Sequence, residues 1–425
     1  KKLKKELSAA GVVNLFVDEK AEQKRFDEVS KQLSEAQKDF DKAMQNPMFA
    51  HGLEWRMEFP EILDGDGNFK GFDLVIGNPP YIFQRESGFS EEYKKYLQKT
   101  YNIFENKITT YTLFIELAYS LMREGGTFSY IIPNNFLTIN LNAKTREFLT
   151  KNTSDIVLIN SLDKIFVDAN VDNCIIFFKK NVPNWLEVAE LKNDEVTTIG
   201  KVKSDFFGKN PIFSISMVKY KEAKSAFEKV DLFPKLDREG ISSVKVGIQA
   251  YKKGTGFPKQ TASDVENHIY HSDKQEDETY RKYLEGKDVS RYKLTWHGRW
   301  IKYGRNLSQP RYPELFENPR ILVRQIPSNK TYAIEAVYVD EDVINDVNSA
   351  TITDIQINPF YLLGVINSKL LTLWFMMKFD KFQRRIFPQF KANELGDFPI
   401  PDGNEEQQTL IAELVQKLMG EKKKE

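Results

Sequence analysis

Asn78-Pro79-Pro80-Tyr81 places a carboxamide, two rigid prolines and an aromatic ring side by side. The preceding run, Phe72-Asp73-Leu74-Val75-Ile76-Gly77, has strand character, is too short for a lone helix and stops on a glycine. Ligands of open α/β sheets sit beyond the carboxyl ends of the strands, where this tetrapeptide falls. Gly77 permits close approach of a ligand to the backbone. Pro79 and Pro80 fix φ and lack an N–H, so the turn is stiff and its carbonyls stay free as acceptors. The Asn78 side-chain oxygen and the Pro79 carbonyl can both accept from one NH2 group. That would draw the nitrogen lone pair out of ring conjugation and make the amine a better nucleophile. Tyr81 would stack on the ring, a contact worth about 1–3 kcal/mol. The chemistry suited to these residues is methylation of an exocyclic amine on a flat base, which in a duplex must first leave the stack.

The elements that position the turn come after it in the chain. Tyr111-Thr112-Leu113-Phe114-Ile115-Glu116 opens an amphipathic helix with Phe114, Leu117 and Leu121 on one face. Gly125-Gly126 is read as its stop. Residues 127–132 form the next strand, followed by Pro133-Asn134-Asn135-Phe136-Leu137. Lys164-Ile165-Phe166 then precedes Val171 and an apolar strand over residues 174–178.

This order of motifs resembles the amino-group DNA methyltransferases, specifically the adenine-N6 class. The resemblance implies catalytic roles for Asn78, Pro79, Pro80 and Tyr81, and places Phe166 against the other face of a flipped adenine. Downstream, Tyr283-Leu284-Glu285-Gly286-Lys287-Asp288-Val289 with Trp296 and Trp300 resembles the specificity domain of TaqI-like methyltransferases and fused restriction-modification enzymes. So does Phe387-Pro388-Gln389-Phe390 with Leu395 and Phe398-Pro399-Ile400-Pro401. The resemblance covers roughly residues 50–402.

The family binds S-adenosylmethionine through a glycine loop that normally precedes the catalytic motif. Residues 1–70 hold only Gly11, Gly52, Gly65 and Gly67. The last two lie in Asp64-Gly65-Asp66-Gly67-Asn68, read as a turn; a calcium loop would need a downstream glutamate that is missing. The expectation is therefore a C-terminal portion of a larger polypeptide, whose N-terminal remainder supplies the main cofactor loop and can include a nuclease. Within this chain, Glu58 and Phe59, with Asn78, match the cofactor-contacting positions.

With 61 basic and 61 acidic residues, no overall positive charge draws the chain to nucleic acid, so local clusters must carry phosphate contacts. The expected DNA contacts are Lys287, Arg291, Arg299, Lys302, Arg305, Arg320 and Arg324, interleaved with aromatics, and a second group at Arg384 and Arg385. The single cysteine, Cys174, falls in an apolar strand and reads as inert core; a chain without disulfides fits a reducing cytoplasm. His51, His268, His271 and His297 show no zinc spacing, and no metal site is expected. No apolar run approaches 18 residues, so no membrane partner is expected.

The expected fold class is α/β: a partial Rossmann-like methyltransferase sheet followed by an α+β target-recognition domain. Residues 1–49 read as a helical connector, with Phe26, Val29, Leu33 and Ala36 at helical spacing; 50–182 as the catalytic-loop region; 183–210 as a transition segment with short strand candidates; and 211–425 as the recognition domain with a C-terminal helix. Within that domain residues 252–279 read as a long mobile loop, and residues 362–377 as one buried helix carrying Leu363, Ile366, Leu370 and Leu373. The functional expectation is a site-specific DNA adenine-N6 methyltransferase acting on double-stranded DNA in a restriction-modification or phage-defence system. The rival is a non-catalytic recognition fragment that depends on the missing region. A third reading, methylation of a protein glutamine, is disfavoured by the large aromatic-basic C-terminal domain.

Overall fold

Apolar residues recurring along successive strands build a six-stranded mixed sheet. Its strands are β1 (Phe72–Gly77), β2 (Met122–Pro133), β3 (Ser154–Ser161), β4 (Asn173–Lys179), β5 (Trp185–Lys192) and β6 (Glu195–Lys203). Their spatial order is β1-β2-β4-β3-β5-β6. β4 runs antiparallel to both β2 and β3, while β3 and β5 are parallel. The computed structural model describes residues 19–45, 52–82, 90–105, 109–166, 171–208, 212–383 and 389–422. It divides into one unit of residues 1–72 and 88–102 and a second of 73–87 and 103–425.

In the first unit the helix Glu19–Met44 includes the buried Val29. A short helix, Trp55–Glu58, leads into a turn where Asp64 Oδ1 accepts from the Asp66 and Asn68 amides. The segment read as a turn is therefore closed by an Asx-type contact. Ser90 caps the helix Glu91–Thr100.

In the second unit the core under the sheet joins Tyr111, Ile115, Ala118 and Met122 to Phe128, Ile132, Ile156, Leu158, Ile176 and Phe178. The helix Thr110–Leu121 thus buries the stripe of Tyr111, Ile115 and Ala118, and Phe114 points out, opposite to the face expected. The helix also ends before the Gly-Gly pair. β2 begins at Met122, and Gly125, at φ +76, bends inside that strand while its N–H donates to the Lys180 carbonyl. The segment read as a transition with short strand candidates holds β5 and β6, which continue the sheet with Leu186, Val188 and Val202 in its core. At the other margin β1 is an edge strand among the described residues, with Leu74 55% and Ile76 72% exposed.

The C-terminal part adds β7 (Ser243–Val246), β8 (His271–Ser272), β9 (Tyr280–Leu284), β10 (Val289–Ser290), β11 (Lys293–Leu294), β12 (Trp300–Lys302), β13 (Arg320–Arg324), β14 (Ala336–Val339), β15 (Ile344–Asn345) and β16 (Ser349–Thr353). They form sheets ordered β14-β13-β16-β7 and β15-β9-β12-β8, and the hairpin β10-β11. Residues 252–279 are structured rather than a loose loop. Gln260 is buried and its amide donates to the Ala250 and Asn306 carbonyls, and Thr261 opens a short helix with a capping box. The stretch expected as one helix is two, Pro359–Ile366 and Lys369–Phe379, bent by 56°. Ser368 caps the second, and Leu370 faces out. Their apolar faces pack into the core of β13, β14 and β16. Among the described residues no single helix is long and apolar enough to cross a membrane, and no acidic, histidine or cysteine cluster has the arrangement of a metal site. Cys174 is fully buried, and burial pushes its thiol pKa up, so the thiolate is disfavoured.

Candidate active site

The turn after β1 is held at its tyrosine and open at its asparagine. Tyr81 O–H donates to the Ile131 carbonyl of β2 at 2.8 Å, and its ring meets the Tyr111 ring edge-on at 6.1 Å. Burial pushes the Tyr81 phenol up to about 12, so it stays a neutral donor. Thr110 brackets the following residues: its hydroxyl donates to the Pro80 carbonyl at 2.5 Å and accepts from the Ile82 N–H at 3.0 Å. Pro79 is buried, whereas Asn78 and Pro80 are exposed. The Asn78 carboxamide and the Pro79 carbonyl have no hydrogen-bond partner among the described residues. Gly77 answers to the protein itself: a Cβ there would stand 3.3 Å from the Tyr130 ring.

Behind Tyr81 lies a buried polar network that the sequence did not disclose. Tyr111 O–H donates to Asn135 Oδ1 at 3.2 Å and accepts from Asn142 Nδ2 at 2.7 Å. Arg146, almost fully buried, donates to the Phe136 and Ile139 carbonyls at 2.6 and 2.9 Å, fixing the chain after β2. Burial lowers its pKa to about 10, which leaves it protonated at neutral pH. Asn134 and Asn160 each donate to the Gln383 carbonyl, at 3.0 and 3.1 Å. The only sequence signal was the Asn134-Asn135 pair after Pro133, to which spacing assigned no partner.

The remaining expected residues fare differently. Phe166 is half-buried at the end of the segment after β3, and the ring contact of Tyr81 among the described residues is with Tyr111. Glu58 is exposed in the first unit; Phe59 stacks on Trp55 at 5.9 Å and meets Phe72 edge-on at 5.1 Å. Of the basic residues, Arg320 does not face solvent. It is 0% exposed and donates to the carbonyls of Asn318, Glu341 and Val343. Burial lowers its pKa to about 10. Arg324 pairs with Glu335 at 3.3 Å, and Lys287 and Arg299 converge on Glu285 at 2.7 and 2.5 Å. Arg291 lies over the Tyr332 ring at 4.0 Å and donates to the Asn367 carbonyl. Lys302 and Arg305 are exposed and make no ion pair among the described residues. Arg384 and Arg385 lie outside the described residues.

Comparison with known proteins finds likenesses in both parts of the chain. Residues 3–166 match the Eco57I restriction-modification methylase model, and residues 281–400 the TaqI-like C-terminal specificity domain. A putative type II restriction enzyme and methyltransferase of Methanocaldococcus jannaschii is 27% identical over 82% of this chain and 28% of its own length. A type II methyltransferase of Thermus thermophilus is 30% identical over 26% of this chain and 27% of that protein. The chain thus spans little more than a quarter of the length of either relative. The Type IIL restriction-modification enzyme MmeI, solved with DNA, shares the fold at TM-score 0.56 and 13% identity, covering 86% of this chain and 51% of that one. The mixed sheet is methyltransferase-like, and the C-terminal part is a specificity domain. The chain thus joins a region similar to the Eco57I restriction-modification methylases to one similar to the TaqI-like C-terminal specificity domain, and its relatives are type II restriction-modification methyltransferases.

Proposed function

We propose that this chain carries the catalytic turn and the target-recognition domain of a DNA methyltransferase that methylates adenine at N6. The observation that carries the reading is the Asn78-Pro79-Pro80-Tyr81 turn. Its Asn78 and Pro79 acceptors have no partner among the described residues, while its tyrosine is anchored to β2. An adenine swung out of the duplex presents one NH2 group, and the Asn78 Oδ1 and Pro79 carbonyl accept its two protons. That pairing aims the lone pair away from the ring. Tyr81, fixed at its hydroxyl, offers a stacking surface that needs no reordering when the base arrives. Phe166 is assigned the opposite face.

S-adenosylmethionine supplies, when bound, an electrophilic methyl group. The residues present are suited to parts of it: Glu58 is an exposed carboxylate able to accept from hydroxyl groups, the stacked Trp55 and Phe59 form a flat apolar surface, and Asn78 has an exposed amide. Asn78 orients the amine, and no side chain is required to form a bond to the base. The edge position of β1, with Leu74 and Ile76 exposed, supports a sheet completed by further strands from the N-terminal remainder of the polypeptide. A nuclease in that remainder would make the enzyme bifunctional, in a restriction-modification or phage-defence role. Double-stranded DNA is the partner of the C-terminal domain, contacted first through Lys302 and Arg305. The shares of the relatives covered favour one alternative, that this stretch alone recognises DNA without methylating it.

The test is methyl transfer by the full-length polypeptide to duplex DNA, with the modified nucleoside identified after digestion. Asn78→Ala is expected to lower turnover on the order of 10²-fold, as loss of one preset polar contact does, and to leave the melting temperature unchanged because the side chain is exposed. Unchanged turnover, or methylcytosine as product, would overturn the reading.

A further inference from the structure

Two asparagines, one just past the end of β2 and one in β3 of the catalytic sheet, share one backbone carbonyl of the recognition domain. Asn134 directly follows β2 and Asn160 lies near the end of β3, the two strands that flank β4. The register sets Pro133 opposite Asn173 and Asn160 opposite Cys174, so both side chains come together over the start of β4. Asn134 Nδ2 donates to Asn160 Oδ1 at 3.2 Å and to the Gln383 carbonyl at 3.0 Å, and Asn160 Nδ2 donates to the same carbonyl at 3.1 Å. Asn134, Asn160 and Gln383 are 4%, 0% and 5% exposed. Donors buried to this degree must find acceptors, so the carbonyl has to be there whenever the sheet end is closed.

Gln383 is itself fastened. It ends the turn Lys381–Gln383, which follows Asp380 at φ 44, in the left-handed region. The buried Asp380 carboxylate accepts from Ser214 Oγ at 3.0 Å, from the Ser216 N–H at 2.9 Å and hydroxyl at 2.6 Å, and from the Gln383 amide. On the other side, Asn134 is bonded along the chain to Asn135, which accepts from Tyr111, and Tyr111 touches the ring of Tyr81. A continuous series of contacts therefore runs from the helix Lys369–Phe379, through Asp380 and Gln383, to the tyrosine of the turn.

We propose that the Asn134–Asn160–Gln383 clamp is a positioning device by which the recognition domain sets the geometry of the catalytic turn. The proposal rests on the methyltransferase reading above. The clamp touches no substrate; it acts through Asn135 and Tyr111 on Tyr81. It makes efficient methyl transfer depend on how the recognition domain is seated, because displacement of Gln383 would free Asn134 and loosen the support of Tyr81.

The experiment uses the full-length polypeptide and a duplex containing the site that the wild type methylates. Single-turnover methylation and DNA affinity are measured for Asn134→Ala, Asn160→Ala and Tyr111→Phe, and for Asn134→Ala combined with Tyr111→Phe. Tyr111→Phe keeps the ring and leaves the clamp intact, so it remains informative if an asparagine variant fails to fold. The expected result is a rate lowered by about 10- to 100-fold, the size of effect that a small misplacement of reacting groups produces, with DNA affinity within about twofold of wild type. The double variant should be no slower than its slower parent, since both changes break one route. Folded variants that methylate at the wild-type rate would overturn the proposal, as would losses confined to DNA affinity or effects that multiply. If Asn78→Ala leaves the wild-type rate untouched, the methyltransferase reading itself fails. A rate abolished by Asn78→Ala but indifferent to the clamp removes only the positioning role.

Discussion

Arg320 gives its guanidinium to three backbone carbonyls at the start of β13, whereas Arg305 stands in solvent without an ion pair among the described residues. Replacing Arg320 by alanine strands the buried Val343 carbonyl and empties a fully enclosed side-chain site, and at roughly 1–3 kcal/mol for the unsatisfied group alone the fold should lose at least that much. Chemical denaturation reads that loss, and a Lys293→Ala variant, at a half-buried position in the β10-β11 hairpin, serves as the comparison. Arg305→Ala should leave the melting temperature alone and flatten the slope of log affinity against log salt by about one, the signature of one phosphate contact. The interleaving of basic and aromatic residues was legible in the sequence. Which basic residues were free was not, because an arginine that opens a strand buried on both faces has the same neighbours in sequence as one at a turn. The turn at Asn78-Pro79-Pro80-Tyr81 after β1 was legible as a rigid turn, since prolines and a terminal glycine restrict the backbone locally. Thr110, Asn142 and Gln383 were invisible, because their partners are brought to them only by the completed sheet.

The break between the helices Pro359–Ile366 and Lys369–Phe379 shows how two adjacent polar residues redirect an apolar run. Ser368 Oγ accepts from the Leu371 N–H at 3.0 Å, and Asn367 exchanges hydrogen bonds with the backbone of Ala336. Ser368→Ala should cost about 1 kcal/mol, as loss of a helix N-cap does, read by thermal unfolding. A drop well below that would mean that packing alone fixes the bend. Periodicity saw one helix there because both halves are apolar all round, so no stripe marks the change of axis. The same limit moved the stripe of the helix Thr110–Leu121, in which nearly every position is apolar or small. β5 and β6 were legible only as short strand candidates, for the opposite reason: Glu187, Glu190 and Lys192 dilute the alternation of β5, and Pro183 reads as a boundary. Residues 252–279 looked loose because their glycines and charges hide contacts made by backbone and by rings such as Tyr251 with Tyr270.

Across the whole molecule, two titrations in the recognition domain oppose one another. Burial pushes Asp346 up from 3.8 to about 6, so its contribution to stability is complete below pH 3.8 and is lost as pH rises through about 6. Burial, with Arg299 and His268 nearby, pushes His271 down from 6.5 to about 4, so its contribution is present above pH 6.5 and is lost as pH falls through about 4. The two slopes run against each other over the same interval. Asp346→Asn should remove one of them, and the variant's stability should fall more steeply than wild type on acidification from pH 6.5 to 4. Parallel curves for the two proteins, by denaturant titration at each pH, would contradict the assignment. Cys174 gives the whole molecule one further property. It is the sole cysteine of the chain, fully enclosed, with its thiolate disfavoured. A maleimide dye or spin label will therefore find no native competitor on the folded protein. Reporter thiols placed on the sheet and on the recognition domain can be read in an otherwise silent background, and the wild-type sequence is its own unlabelled control.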